Sequence, residues 1–233
     1  MERARLLEQL AALLDPDHQD ASGVLQRLCA ACVVLLPVTG AGAMLMAHGE
    51  HHVTVAASDE AILVVEELQD LTGQGPCLEA YRTGLVVLEP DLAVGGMRRW
   101  PDFTSRAVAA GVRAAFSFPL GVGQLRIGAL DLYRDRPGEL AADHIADAQV
   151  LAEVTRRTIL AAQAQALPGS VLYQSWGVDS SRATLDQATG MTAVHLNVGI
   201  DEAFARLRDY ARAHDRALGA VAGDVVSERL RIG

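Results

Sequence analysis

The stretch LPGSVLYQSWGVDSS, residues 167–181, constrains this chain most. Its Pro, two Gly and four Ser interrupt helix and strand periodicity alike, so it reads as a linker. Upstream of it helix and strand patterns are mixed; downstream of it every pattern is helical. The chain thus divides into a domain over residues 1–166, a linker over 167–181 and a small helical domain over 182–233. Half of the 233 residues are apolar, enough to build a core in the larger part. The last part is too short to be a second catalytic domain.

In the larger part, Leu6, Leu10 and Leu13 share one face of a helix over residues 1–14. Asp15-Pro16 ends it, and Ser22 is a fitting N-cap for a second helix that stops at Pro37. Ala41–Ala47 and His52–Ser58 read as strands about a turn at residues 48–51. Residues 60–71 read as helix, Leu85–Glu89 as a short strand, and Pro101–Ala110 as a helix opened by proline. Arg113–Leu120 and Leu125–Tyr133 form a second hairpin through Gly121-Val122-Gly123. Leu140–Ala166 is a long helix in which Ile145, Ala148, Ala152, Thr155, Ile159, Ala162 and Ala166 recur in steps of three and four. That seam suits either a homodimer or packing onto the domain's own first helices. Helices over about 182–195, 200–213 and 217–231 follow the linker. The expected fold is α+β: an antiparallel sheet with packed helices, plus a C-terminal three-helix unit.

The formal charge of −9 gives nucleic acid no general attraction, so any RNA surface must be local. Every basic residue is Arg, which contacts phosphate in bidentate fashion and stacks on bases. No apolar run reaches the roughly 18 residues of a membrane span. Met1–Leu14 carries charges within its apolar stretch and reads as an amphipathic helix rather than a signal peptide, which makes the cytoplasm the expected compartment. Three cysteines argue against a disulfide framework. Cys29 and Cys32 have redox-motif spacing, but they lie mid-helix on the apolar face, whereas a reactive thiolate needs a helix N-terminus. They read as core rather than as a redox pair. His48, His51 and His52 sit at a turn with no fourth ligand nearby, so they read as an exposed turn rather than a metal site. No phosphate-binding loop or nucleophile motif occurs, and Gly95-Gly96 reads as a plain loop. No catalytic residue, metal or cofactor is expected.

Gly73–Cys77 (GQGPC), followed by LEAYRTG, is similar to the GEGPC segment of GAF domains in bacterial regulators. Glu89–Leu92, Arg99–Phe103, Ala110–Leu120 and Ile127–Arg134 continue the likeness in order, which spans roughly residues 22–163. The C-terminal part resembles an ANTAR domain through Leu185–Met191, Asp201–Arg212 and Ala217–Val226, over about residues 181–231. The family's usual Lys in its Gln-Ala-Lys-Gly segment is Thr189 here. The GAF likeness implies a sheet with helices behind it and a small-molecule pocket in front. The ANTAR likeness implies binding of paired RNA stem-loops and prevention of transcription termination. RNA loops are read by stacking and base-edge contacts, held by Arg on phosphate.

Candidate RNA-binding residues are Arg182, Gln187, Thr189, Arg208, Arg212 and Arg216. Arg208 and Arg212 lie four apart on one helical face, and Arg216 extends it if the helix continues. The alternative is a solvated face, since seven Arg and seven acidic residues cancel over residues 180–233. Candidate ligand-pocket residues are Leu68, Leu71, Cys77, Tyr81, Met97, Trp100 and Phe103, with Glu79, Arg98 and Arg99 as polar anchors. The alternative is that these rings simply fill the core. The functional expectation is a ligand-responsive antitermination regulator, homodimeric and without enzymatic activity. The alternative is a ligand-sensing or scaffold module that has lost its grip on RNA and contacts a protein partner.

Overall fold

The computed structural model describes residues 3–14, 21–46, 52–122, 125–165, 180–214 and 216–232. The turn at residues 48–51, the second hairpin's tip and nearly all of the linker lie outside the described residues. The N-terminal domain opens with α1 (Arg3–Leu13) and α2 (Ala21–Leu35), then the strands β1 (Gly40–Met46) and β2 (His52–Ala57). Next come α3 (Glu60–Thr72), α4 (Pro76–Thr83), β3 (Val87–Glu89), a π-turn over Leu92–Gly96, the single turn α5 (Met97–Arg99) and α6 (Pro101–Ala109). The hairpin β4 (Ala114–Val122) and β5 (Leu125–Arg134) precedes α7 (Ala142–Gln165).

The five strands run antiparallel in the order β2-β1-β5-β4-β3. Period-two alternation assigns each strand residue to a face. Ala41, Ala43, Phe116, Phe118, Leu130 and Leu132 pack with α2 and α7 in one core. The opposite face carries Met44, Ala115, Ser117, Ala129, Asp131 and Tyr133, all buried. Helices α3, α4 and α6 cover that face. Asp59 caps α3 by accepting from the Ile62 amide at 3.1 Å, and Gly73 ends it at φ 64°. Pro76 and Pro101 start α4 and α6, where no amide donor is required.

The seam of α7 is used inside the domain: Ala148, Ala152 and Ile159 are buried in the core shared with α2 and the sheet, and Ile145 and Ala162 pack against it. Thr155 turns its hydroxyl onto the Leu151 carbonyl, 2.9 Å away. Helix α4 stands in a stretch without evident helical periodicity, because eight residues are too few to show one.

The C-terminal domain consists of α8 (Ser180–Leu196), α9 (Ile200–Ala213) and α10 (Leu218–Val226). Ala188, Phe204, Leu207, Ala211, Val221, Ala222 and Val225 form its core. Helix α10 stops five residues earlier than the pattern suggests. The chain then turns through Glu228 at φ 58°, and the Arg229 and Leu230 amides donate to the Asp224 carbonyl. The two domains touch: α9 packs on α3, and Leu71 of α3 is buried within the C-terminal core.

Candidate ligand face and nucleic-acid surface

Helix α3 carries Ile62, Val65, Glu66, Gln69 and Thr72 on its buried face, and Glu66 and Gln69 enter the layer between cover and sheet. They are fully paired there. The Gln69 amide donates to Glu66 Oε2 at 3.1 Å and to the Tyr133 hydroxyl at 3.0 Å. Its carbonyl oxygen accepts from the Cys77 amide at 2.9 Å, which fixes the start of α4. Tyr133 donates to Glu66 Oε1 at 3.2 Å. Asp131 accepts from the Ser117 hydroxyl, while its second oxygen is buried without a hydrogen-bond partner.

Burial in a low-dielectric layer disfavours charge. It pushes the Glu66 carboxyl well above its usual range, with the Asp131 charge adding to the effect. It raises Asp131 to about 6, the Ser117 hydrogen bond opposing. Cys77 is raised in the same way, and Cys32, in the other core, to about 12. All three cysteines are free and buried.

The seven pocket candidates are distributed over several environments. Trp100 and Phe103 are buried in one cluster, with Leu68 against its edge. Cys77 is buried with Met44 and Ala129. Leu71 belongs to the C-terminal core, Tyr81 is half-buried and Met97 is exposed. The expected anchors Glu79 and Arg99 latch the cover instead. Arg99 pairs with Glu79 at 2.5 Å and Glu89 at 3.4 Å, and stacks on the Trp100 ring. The Trp100 indole donates to Glu79 at 3.1 Å, and Arg98 is exposed. Sequence reasoning missed Glu66, Gln69, Asp131 and Tyr133. The available signal was a polar residue at a core position: Glu66 and Gln69 continue the helical spacing of Ile62 and Val65, and Asp131 and Tyr133 face away from Leu130 and Leu132.

His52 is buried at the start of β2, which corrects the expectation of an exposed turn. It lies 2.9 Å from Asp70 without hydrogen-bond alignment. Among the described residues no three His, Cys, Asp or Glu side chains converge on a metal site. Nor, among them, is any helix long and apolar enough to cross a membrane.

On the C-terminal domain, Arg182 lies in the first turn of α8 and Gln187 is exposed. Thr189 is buried and donates to the Leu185 carbonyl at 2.8 Å. Arg208 and Arg212 do share a face of α9, and it is the face turned to the N-terminal domain. Arg212 forms an ion pair with Asp102 on α6. Arg208, about three-quarters covered, lies against the Gly73 turn and 3.7 Å from Asp209. Arg216 does not extend the stripe; it pairs with Asp224 at 2.5 Å, beside Arg229.

A family model for the GAF domain matches residues 18–159, and one for the ANTAR domain matches residues 179–226. No curated protein matches the chain. Among solved structures, the fold is similar to the GAF domain of a phosphoenolpyruvate-protein phosphotransferase from Coxiella burnetii. That match has a TM-score of 0.54 at 14% identity and covers 72% of this chain and 96% of that one. The corresponding domain from Acinetobacter gives 0.53 at 11% identity, covering 69% and 92%. A free methionine-R-sulfoxide reductase from Neisseria meningitidis gives 0.52 at 17% identity, covering 68% and 88%. At these identities the likeness is one of fold.

Proposed function

Because this chain belongs to the GAF domain family and carries an ANTAR domain behind it, we propose that it is a signal-responsive transcription antitermination regulator. In this reading the GAF domain senses a small ligand, and the ANTAR domain binds stem-loop RNA through Arg182, Gln187, Arg208, Arg212 and Arg216. The observation that carries it is the occurrence of both domains in one chain. The protein acts in the cytoplasm and is not an enzyme. A homodimer would present two RNA-binding domains and raise the effective concentration of the second contact. Since the α7 seam is internal, a second copy would use other apolar positions, such as exposed Leu7 and Val34.

The test is binding of the full chain to a two-stem-loop RNA at moderate salt. Arg208→Ala should weaken binding and reduce its salt dependence by about one phosphate contact. A thermal-shift screen of metabolites tests the sensing role, because a ligand that binds the folded state raises the melting temperature. Buried Thr189 in place of Lys supports a second reading, a sensing or scaffold module with a protein partner. Absence of RNA binding in every oligomeric state would favour it.

A further inference from the structure

We propose that the GAF domain holds the ANTAR domain in a covered state, with RNA and the GAF domain competing for the same face of α9. This rests on the RNA-binding reading above. Three contacts carry it. Leu71, near the C-terminal end of α3, is buried among Phe204, Leu207 and the rest of the ANTAR core. Two residues on, Gly73 closes α3 in the left-handed region, and a Cβ there would stand 2.9 Å from Arg208 Nη1. The missing side chain lets the guanidinium lie against the turn. Next to it, Arg212 pairs with Asp102, whose own backbone amide donates to the Gln74 side-chain oxygen Oε1 at 3.1 Å. Turn and acid are thus tied into one surface complementary to α9.

That surface excludes phosphate. Asp102 occupies the position at Arg212 that an RNA oxygen would need, and Arg208 is largely covered. The same α3 supplies Glu66 and Gln69 to the buried layer, and Gln69 sets the start of α4 just past the Gly73 turn. A change beneath the cover therefore reaches the docking surface through one helix and one turn, independently of the linker.

The test uses the full chain as wild type, Leu71→Asp, Leu71→Ser and Asp102→Asn. Hydrogen exchange over residues 69–74 and 203–212 reports docking, and fluorescence anisotropy with a two-stem-loop RNA reports affinity. Leu71→Asp adds a negative charge, which by itself repels RNA, so tighter binding can come only from uncovering. The expected result is faster exchange in both segments and at least five-fold tighter RNA binding. Adding RNA to the wild type should speed exchange at residues 69–74. If Leu71→Asp does not fold, Leu71→Ser decides, with a smaller gain in the same direction; Asp102→Asn removes a charge that itself repels RNA, so it is read by exchange over both segments alone. Released variants that bind RNA no better than a binding-competent wild type would overturn this inference and leave the RNA reading standing. So would a wild type without protection in these segments. Variants shown to be released that, like the wild type, bind no RNA would overturn both.

Discussion

Asp131 is a carboxyl group held out of water with one oxygen paired and one unpaired. Its pKa is raised from 3.8 to about 6. The folded chain therefore keeps a proton that the unfolded chain has released between those values. Stability from this group is complete below about pH 4 and is lost as pH rises through about 6, on the order of 3 kcal/mol. Glu66, also raised, acts in the same direction. Asp131→Asn should remove that slope: between pH 4 and 7 the urea midpoint of the wild type should fall relative to the variant. Parallel curves would show that Asp131 ionises normally. Gly128 makes a second prediction. It pairs with Leu45, and a Cβ there would overlap the Met44 carbonyl, which is backbone and cannot yield. At Gly40 the obstructing group is the flexible end of Ile62. Gly128→Ala should lower the melting temperature more than Gly40→Ala, the overpacking costing about 1–3 kcal/mol or more. Equal shifts would contradict it.

At the level of elements, α7 shows how a small-residue seam is read in two ways. Ala148 and Ala152 let the helix approach α2 and the sheet closely, and Ile159 fills the space beyond. Ile159→Ala should cost about 2–5 kcal/mol through the cavity it leaves. It should leave the mass from light scattering unchanged. A drop from dimer to folded monomer, without loss of stability, would return the seam to an interface role. Helix α4 is the opposite case. Its start is set by Gly75, at φ 145°, and by the Gln69 carbonyl on the Cys77 amide. A contact eight residues apart in sequence decides it, and no periodicity within residues 76–83 announces it.

At the level of the molecule, magnitudes decide what holds the two domains together. Burying Leu71 is worth roughly 1.5–3 kcal/mol, whereas the half-exposed Arg212–Asp102 pair is worth about 0–1 kcal/mol. Docking is therefore mainly apolar, with the ion pair setting orientation. Raising salt to ~0.5 M screens the pair, yet exchange protection over residues 203–212 should persist. Loss of protection with salt alone would mean that charge, not Leu71, holds the interface.

The sequence by itself determined the α+β class and the order of the strands along the chain. Each of these rests on local signals: turn residues, period-two alternation, helical spacing and proline at helix starts. The likeness carried by Gly73–Cys77 and by Leu185–Met191 supplied the two families. Tertiary structure decided the rest. Whether the α7 seam faced inward, whether Glu66 met Tyr133, and which way Arg208 and Arg212 pointed all depend on what another element presents. Helical spacing places two arginines on one face. Only the packing of α9 on α3, around Leu71, determines that this face looks at Gly73 and Asp102 rather than at water.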